Sequence, residues 1–387
     1  MWKFLLVLLI TISSCISGCG REEDAAIEIT MVHGWGGTFQ SHEVMREIYA
    51  EFEQENPDIK MRYISYSDSS IAVEQAKDML AVGTIPDIVS TNGFSGYVEY
   101  ASKAGALMNL MPYIEDDVEW KAQIHPEVFS AWVSEQKELY TIPDVLEVSG
   151  YWYNEAYLEK AGIESIPATW MEFVEMVEHL HKETTVFALE EDQKMNSLFW
   201  ALLAGGMEGD LSSELNLAAL QEAQDRLTEL MRYADEAENI EEARERFANG
   251  ETALFFGGVW EADELEKGKQ SEYLKFANYP TYDGKSLSFV SASSGYAVAK
   301  QIDPRKQDAC LRFLKYMSRE DVQKKIAFQS CQVPVNPRIQ VEEIQEHQKL
   351  FGEALQTALS ADIKIPTMES IWNTAQKEWL ETLSEEY

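Results

Sequence analysis

A chain of 387 residues, 45% of them hydrophobic, is long enough for two domains that each bury a core, at about 100–200 residues per domain. Its formal net charge of −35 excludes binding to a nucleic-acid backbone, whose phosphates need cations, and electrostatic docking on anionic lipid. Such an acid excess suits the solvated surface of an exported protein.

In chain order, the first signal is an export signal. Met1-Trp2-Lys3 starts positive, and Phe4 to Ile12 is apolar but too short to span a bilayer. Small residues then lead to Ile16-Ser17-Gly18-Cys19, which resembles a bacterial lipobox; Cys15 also fits the pattern. We expect residues 1–18 to be removed, Cys19 to carry the lipid, and 19–26 to tether the protein to the outside of the cell membrane. Ile27 to Val32 alternates as a strand and runs into the glycine loop His33-Gly34-Trp35-Gly36-Gly37-Thr38. That loop lacks the GK[ST] ending of a phosphate loop. A helix to Glu55, with Ser41 as its predicted cap, precedes a strand over 59–66, a helix over 71–82 and a short strand at Ile88-Val89. This βαβ order predicts a parallel sheet covered on both faces, with its loops opening together beyond the C-terminal strand edges.

Leu139 to Glu155 reads as a crossing between lobes: a strand broken at Pro143, the carboxylates Asp144 and Glu147, then Tyr151, Trp152 and Tyr153. Alternation puts Tyr151 and Tyr153 on one face and Trp152 on the other. Helices follow, one of them capped by Thr169, and the acid-rich segment from Glu236 to Glu245 reads as a solvated face. A strand over 252–256 meets Gly257-Gly258-Val259-Trp260-Glu261, a second strand tip with glycines and an indole. Further crossings are predicted near Tyr282 and Val333, and a last helix over 371–383. Cys310 and Cys331 permit a disulfide in an exported chain, and a buried free thiol at Cys310 is equally consistent.

These segments resemble the extracellular solute-binding proteins of carbohydrate-type ABC importers, the group of maltose- and oligosaccharide-binding proteins. The resemblance runs through Gly83 to Val89, Gly105 to Ile114, Tyr140 to Pro143, Tyr151 to Asn154, Ala161-Gly162-Ile163, Pro167 to Trp170, Phe247 to Leu254, Gly258-Val259-Trp260 and Ser294 to Val298. It implies a two-lobed periplasmic-binding-protein-like α/β fold, each lobe a mainly parallel sheet flanked by helices, joined by a multi-strand hinge. On this reading 27–142 plus 283–332 form the N-terminal lobe and 143–282 plus 333–387 the C-terminal lobe. It further implies a sugar or oligosaccharide ligand in the cleft and delivery to the permease subunits. The family more often has an aromatic or small polar residue after strand one, where this chain has His33-Gly34.

Sugars present apolar C–H faces and many hydroxyls, so their sites combine aromatic platforms with paired carboxylates or amides. The resemblance nominates Trp260 and Trp372 as stacking platforms. The residues themselves add Trp35 in its glycine loop and Trp152, for which a core role is nearly as good. Polar candidates are Asn92, Asp144, Glu147, Glu261, Ser294 and the Gly295 backbone, while His33 is expected to hydrogen-bond to sugar or backbone. We expect a monomer with no cofactor, no metal site and no catalytic residue. The alternatives left open are a non-sugar solute such as a polyamine or peptide, and a glycosidase using Asp144 with Glu147 or Glu261.

Overall fold

The computed structural model describes residues 26–365, apart from 92–95, 135, 191–196, 207–216, 293 and 301–302. Asn92, Trp372, Cys19 and the helix predicted over 371–383 therefore lie outside the described residues. The strands are β1 (Ile27–His33), β2 (Ile59–Ser65), β3 (Ile88–Ser90), β4 (Thr141–Pro143), β5 (Val145–Asn154), β6 (Phe187–Glu190) and β7 (Ala234–Ala237). They continue with β8 (Leu254–Gly258), β9 (Leu274–Ala277), β10 (Tyr279–Pro280), β11 (Ser286–Ser291), β12 (Gly295–Val298), β13 (Val333–Pro334) and β14 (Ile363–Ile365).

The first lobe is built on the sheet β2-β1-β3-β12-β4. β1 pairs in parallel with β2 over seven residues, from Ile27↔Ile59 to His33↔Ser65, and in parallel with β3. The helix Gln40–Glu55 covers one face and buries Val44, Met45, Ile48, Tyr49 and Phe52, one stripe at helical spacing. Its N-cap is Phe39, with no side-chain cap, so the predicted cap Ser41 sits inside the first turn. The next helix, Ser69–Ala81, is capped by Asp68, which accepts from the Ile71 N–H.

The second lobe is organised around β5. The first sheet is parallel across β2, β1 and β3, with β12 running antiparallel to both β3 and β4; here β8, β9, β11 and β13 all pair antiparallel with β5. The physical reason is that β5 enters from the first lobe as one long strand, and the segments lying beside it run back toward the hinge. Both faces of β5 are covered, and Tyr151 and Trp152 lie on opposite ones, as the alternation predicts. Tyr151 packs with Trp170, Phe173 and Tyr279, while Trp152 packs into a separate cluster with Phe255 and Phe276. The helix Trp170–His181 starts in a capping box: Thr169 Oγ1 accepts the Glu172 N–H and the Glu172 carboxylate accepts the Thr169 N–H.

The chain passes between the sheets at Asp144, between the end of β11 at Ser291 and the start of β12 at Gly295, and at 331–332. The second passage lies past the one expected near Tyr282, because β10 and β11 both belong to the second sheet and β11 pairs with β5 through Phe289↔Ser149. Residues 286–291 are thus part of the second sheet, not the first. The helix Glu320–Ser330 belongs to both lobes. Its Val322 and Ile326 enter the first core, whereas Ala327, with Cys331 just after it, enters the second. Cys310 and Cys331 are free, buried thiols in these two separate cores.

Candidate functional site

The tips of β1 and β8 face each other across the lobes, and each is shaped by its own hydrogen bonds. At the first tip, residues 34–39 fold tightly against the following strand. The Gly36 N–H donates to Tyr66 O at 2.7 Å, and a Cβ on Gly36 would sit 2.7 Å from that same oxygen, so only glycine fits. Three side chains pin the loop. His33 Nδ1 accepts the Trp35 N–H (3.0 Å), His42 Nδ1 accepts the Gly37 N–H (2.9 Å), and Arg46 Nη1 donates to the carbonyls of Trp35 (2.6 Å) and Gly37 (2.8 Å).

Because both histidines accept backbone protons, both rings are neutral. Burial, then the charge of Arg46, pulls each down to about 4. His33 Nε2 lies 2.9 Å from Ser65 Oγ, so both of its ring nitrogens are used within the protein. The pinned loop turns Trp35 inward. It is 3% exposed, sits in the first core and meets His42 edge-on at 5.3 Å. Phe39 is left half-buried at the loop's end.

At the second tip, β8 ends in a 3-10 turn, Val259–Glu261. Trp152 is fully buried, and its Nε1 donates to Gly258 O at 2.9 Å, so it anchors the tip from behind. Trp260 is half-buried, and its Nε1 donates to Glu261 Oε1 at 3.1 Å. Glu261 Oε2 pairs with Arg244 Nη1 at 2.9 Å. Arg244 belongs to the acid-rich segment read as a solvated face, yet it is 8% exposed. Its guanidinium lies 4.8 Å from the Phe39 ring centroid and so joins the tips of the two lobes. One turn on, Asp263 is buried with Oδ2 unpartnered, and burial, then Glu264, pushes it up to about 7.

The remaining polar candidates sit at the hinge. Asp144 is 1% exposed, and its Oδ1 accepts the Ser294 hydroxyl (2.8 Å) and the Val145 N–H (2.9 Å). Burial raises it to about 6 against those hydrogen bonds. Gly295 O accepts from Thr91 N and Oγ1, at 2.8 and 3.1 Å. A Cβ on Gly295 would lie 2.6 Å from Ile142 O. Glu147 is half-buried on β5 opposite Ser291.

The structure therefore brings Trp260 and Glu261 together with Phe39 and Arg244, two residues the sequence reading did not single out. It places Asp144, Ser294 and Gly295 in the hinge, and Trp35 and Trp152 in the cores behind the tips. Phe39 carried one signal, an aromatic side chain directly after a glycine loop; Arg244 was hidden among acids. The arrangement offers half-exposed aromatic rings beside an orientated carboxylate and guanidinium, which suits a ligand with an apolar face and hydroxyls. Among the described residues, no group of three or more His, Cys, Asp or Glu could hold a metal ion, and no helix is long and apolar enough to cross a membrane.

The model of a family described as bacterial extracellular solute-binding protein matches residues 47–352. No curated protein matches the chain. Among solved structures, a Streptococcus pneumoniae solute-binding protein in complex with the blood group A-trisaccharide is 23% identical, with a TM-score of 0.76 over 92% of this chain and 94% of that one. A chitin oligosaccharide binding protein is 20% identical, with a TM-score of 0.75 over 93% of each chain. A maltose-bound T. maritima protein is 20% identical, with a TM-score of 0.70 over 93% of this chain and 92% of that one.

Proposed function

The chain belongs to the family of bacterial extracellular solute-binding proteins, and from that premise we propose that it captures a carbohydrate between its lobes and delivers it to the permease of an ABC importer. The observation that carries this reading is the meeting of the two strand tips, where Phe39, Arg244, Glu261 and Trp260 form one contact chain across the cleft. Trp260 stacks on the sugar's C–H face and Glu261 accepts its hydroxyls, with Arg244 fixing the carboxylate. Phe39 supplies the opposing ring once Arg244 swings off it. The structural relatives that bind a blood-group trisaccharide, a chitin oligosaccharide and maltose support the ligand class.

Asn92, Trp372 and Glu147 complete the proposed contacts, while His33, Trp35, Trp152, Asp144, Ser294 and Gly295 hold the frame. Lobe closure on the ligand is the signal the permease reads. The mature chain begins at a lipidated Cys19, which holds the monomer at the outer face of the cell membrane. A thermal-shift screen tests the reading. A neutral oligosaccharide at millimolar or lower concentration is expected to raise Tm. A rise with spermidine or a peptide alone would overturn it, as would release of aryl aglycone from aryl glycosides.

A further inference from the structure

Gln323 lies on the helix shared by both lobes, Glu320–Ser330, and is fully buried. Its Nε2 donates to Asp144 O at 2.8 Å, at the first passage between the sheets, and to Met317 O at 3.0 Å. Its Oε1 accepts the Val335 N–H at 2.8 Å, just beyond the third passage and β13. The second passage joins through Asp144, whose carboxyl accepts the Ser294 hydroxyl at 2.8 Å. One amide thus touches the first linker and the segment that follows the third, and reaches the second through a single residue. The helix that carries it sends Val322 and Ile326 into the first core and Ala327 into the second. A segment embedded in both cores moves little relative to either, so the lobes turn about it.

We propose that Gln323 is a positioning residue for lobe closure: its amide ties the first linker and the segment leaving the third to the shared helix, so that closing is a rotation about that helix rather than a slide. This rests on the reading that the lobes close on a ligand. Without the amide, the Asp144 carbonyl and the Val335 N–H are left buried and unpaired, and the linkers gain alternative arrangements.

The test uses the full chain with dyes at two exposed sites, one on each lobe, introduced as Lys60→Cys and Glu272→Cys. Among the described residues the native thiols, Cys310 and Cys331, are both buried. Single-molecule energy transfer reads the inter-lobe distance in the ligand-free protein, in wild type, Gln323→Met and Gln323→Glu. Gln323→Met keeps the volume and removes all three bonds; Gln323→Glu keeps the acceptor for Val335. The expected result is a ratio of open to closed forms altered about threefold or more in Gln323→Met, or a broadened distance distribution, with a smaller change in Gln323→Glu. Unchanged distributions in both variants, with only a lowered Tm, would overturn the proposal and leave Gln323 a core hydrogen bond. If Gln323→Met fails to fold, Gln323→Glu alone decides. Adding maltotriose and chitotriose to the wild type reads closure separately. A wild-type distance that no sugar moves counts against the binding reading, while the ligand-free comparison still decides the role of Gln323.

Discussion

The two strand tips look alike in sequence: each is a strand running into glycines with a tryptophan in the loop. They fold differently. At the first, His33, His42 and Arg46 capture the loop's backbone groups and draw it back onto Tyr66, so the indole of Trp35 enters the core. At the second, a 3-10 turn follows directly, the backbone is held from behind by Trp152, and the Trp260 indole stays at the surface beside Glu261. A glycine next to a tryptophan therefore does not mark a ligand platform. What decides is which polar side chains claim the backbone of the loop.

The largest effect that separates the two tips comes from removing each indole. Trp35→Ala is expected to lower stability by about 3–5 kcal/mol, the cost of deleting a buried ring. Trp260→Ala is expected to change stability little and weaken oligosaccharide binding by about tenfold or more. Urea unfolding and titration calorimetry on both variants read the contrast, and equal losses of stability would erase it. Next in size is Arg244→Met, which leaves the buried Glu261 carboxylate without its cation and is expected to cost about 3 kcal/mol in urea unfolding.

The tips also differ in their response to pH. His33 and His42 sit at about 4 when folded and near 6.5 when unfolded. The unfolded chain binds the extra protons, so the first tip loses stability as pH falls from about 6.5 to about 4. Asp263 beside the second tip behaves oppositely. Its folded value of about 7 lies above the 3.8 of an ordinary aspartate, so it loses stability as pH rises through that window. Asp263→Asn is expected to raise Tm at pH 8 and leave it unchanged at pH 4, while His42→Gln should flatten the acid side of the stability profile. The smallest effect is a control far from either tip. Thr169→Ala breaks the capping box and should cost about 1 kcal/mol with binding unaltered.

Much of the fold was legible because it rests on local signals. The alternation of Tyr151, Trp152 and Tyr153 puts Tyr151 and Trp152 on opposite faces of one strand, and in β5 they do lie on opposite faces, each buried in a core rather than lining a cleft. Thr169, Asn56-Pro57 and Gly250 marked helix ends by their own backbone chemistry. The second passage was misplaced because Pro280 resembles a strand break, whereas the decisive fact, β11 pairing with β5, joins residues far apart in sequence. At the site, Trp260 and Glu261 were visible at a glycine-rich strand end. Arg244 was not, since its burial depends on Glu261 and on Phe39 in the other lobe. Asp144 and Ser294 were visible as polar residues at a strand break, but their mutual hydrogen bond turns them toward the hinge.

The most direct measurement is a calorimetric titration of wild type, Trp260→Ala and Trp35→Phe with the oligosaccharide that raises Tm most. Binding by wild type and Trp35→Phe, with Trp260→Ala weakened about tenfold or more, is the predicted outcome. Full affinity in Trp260→Ala, or loss confined to Trp35→Phe, would contradict it.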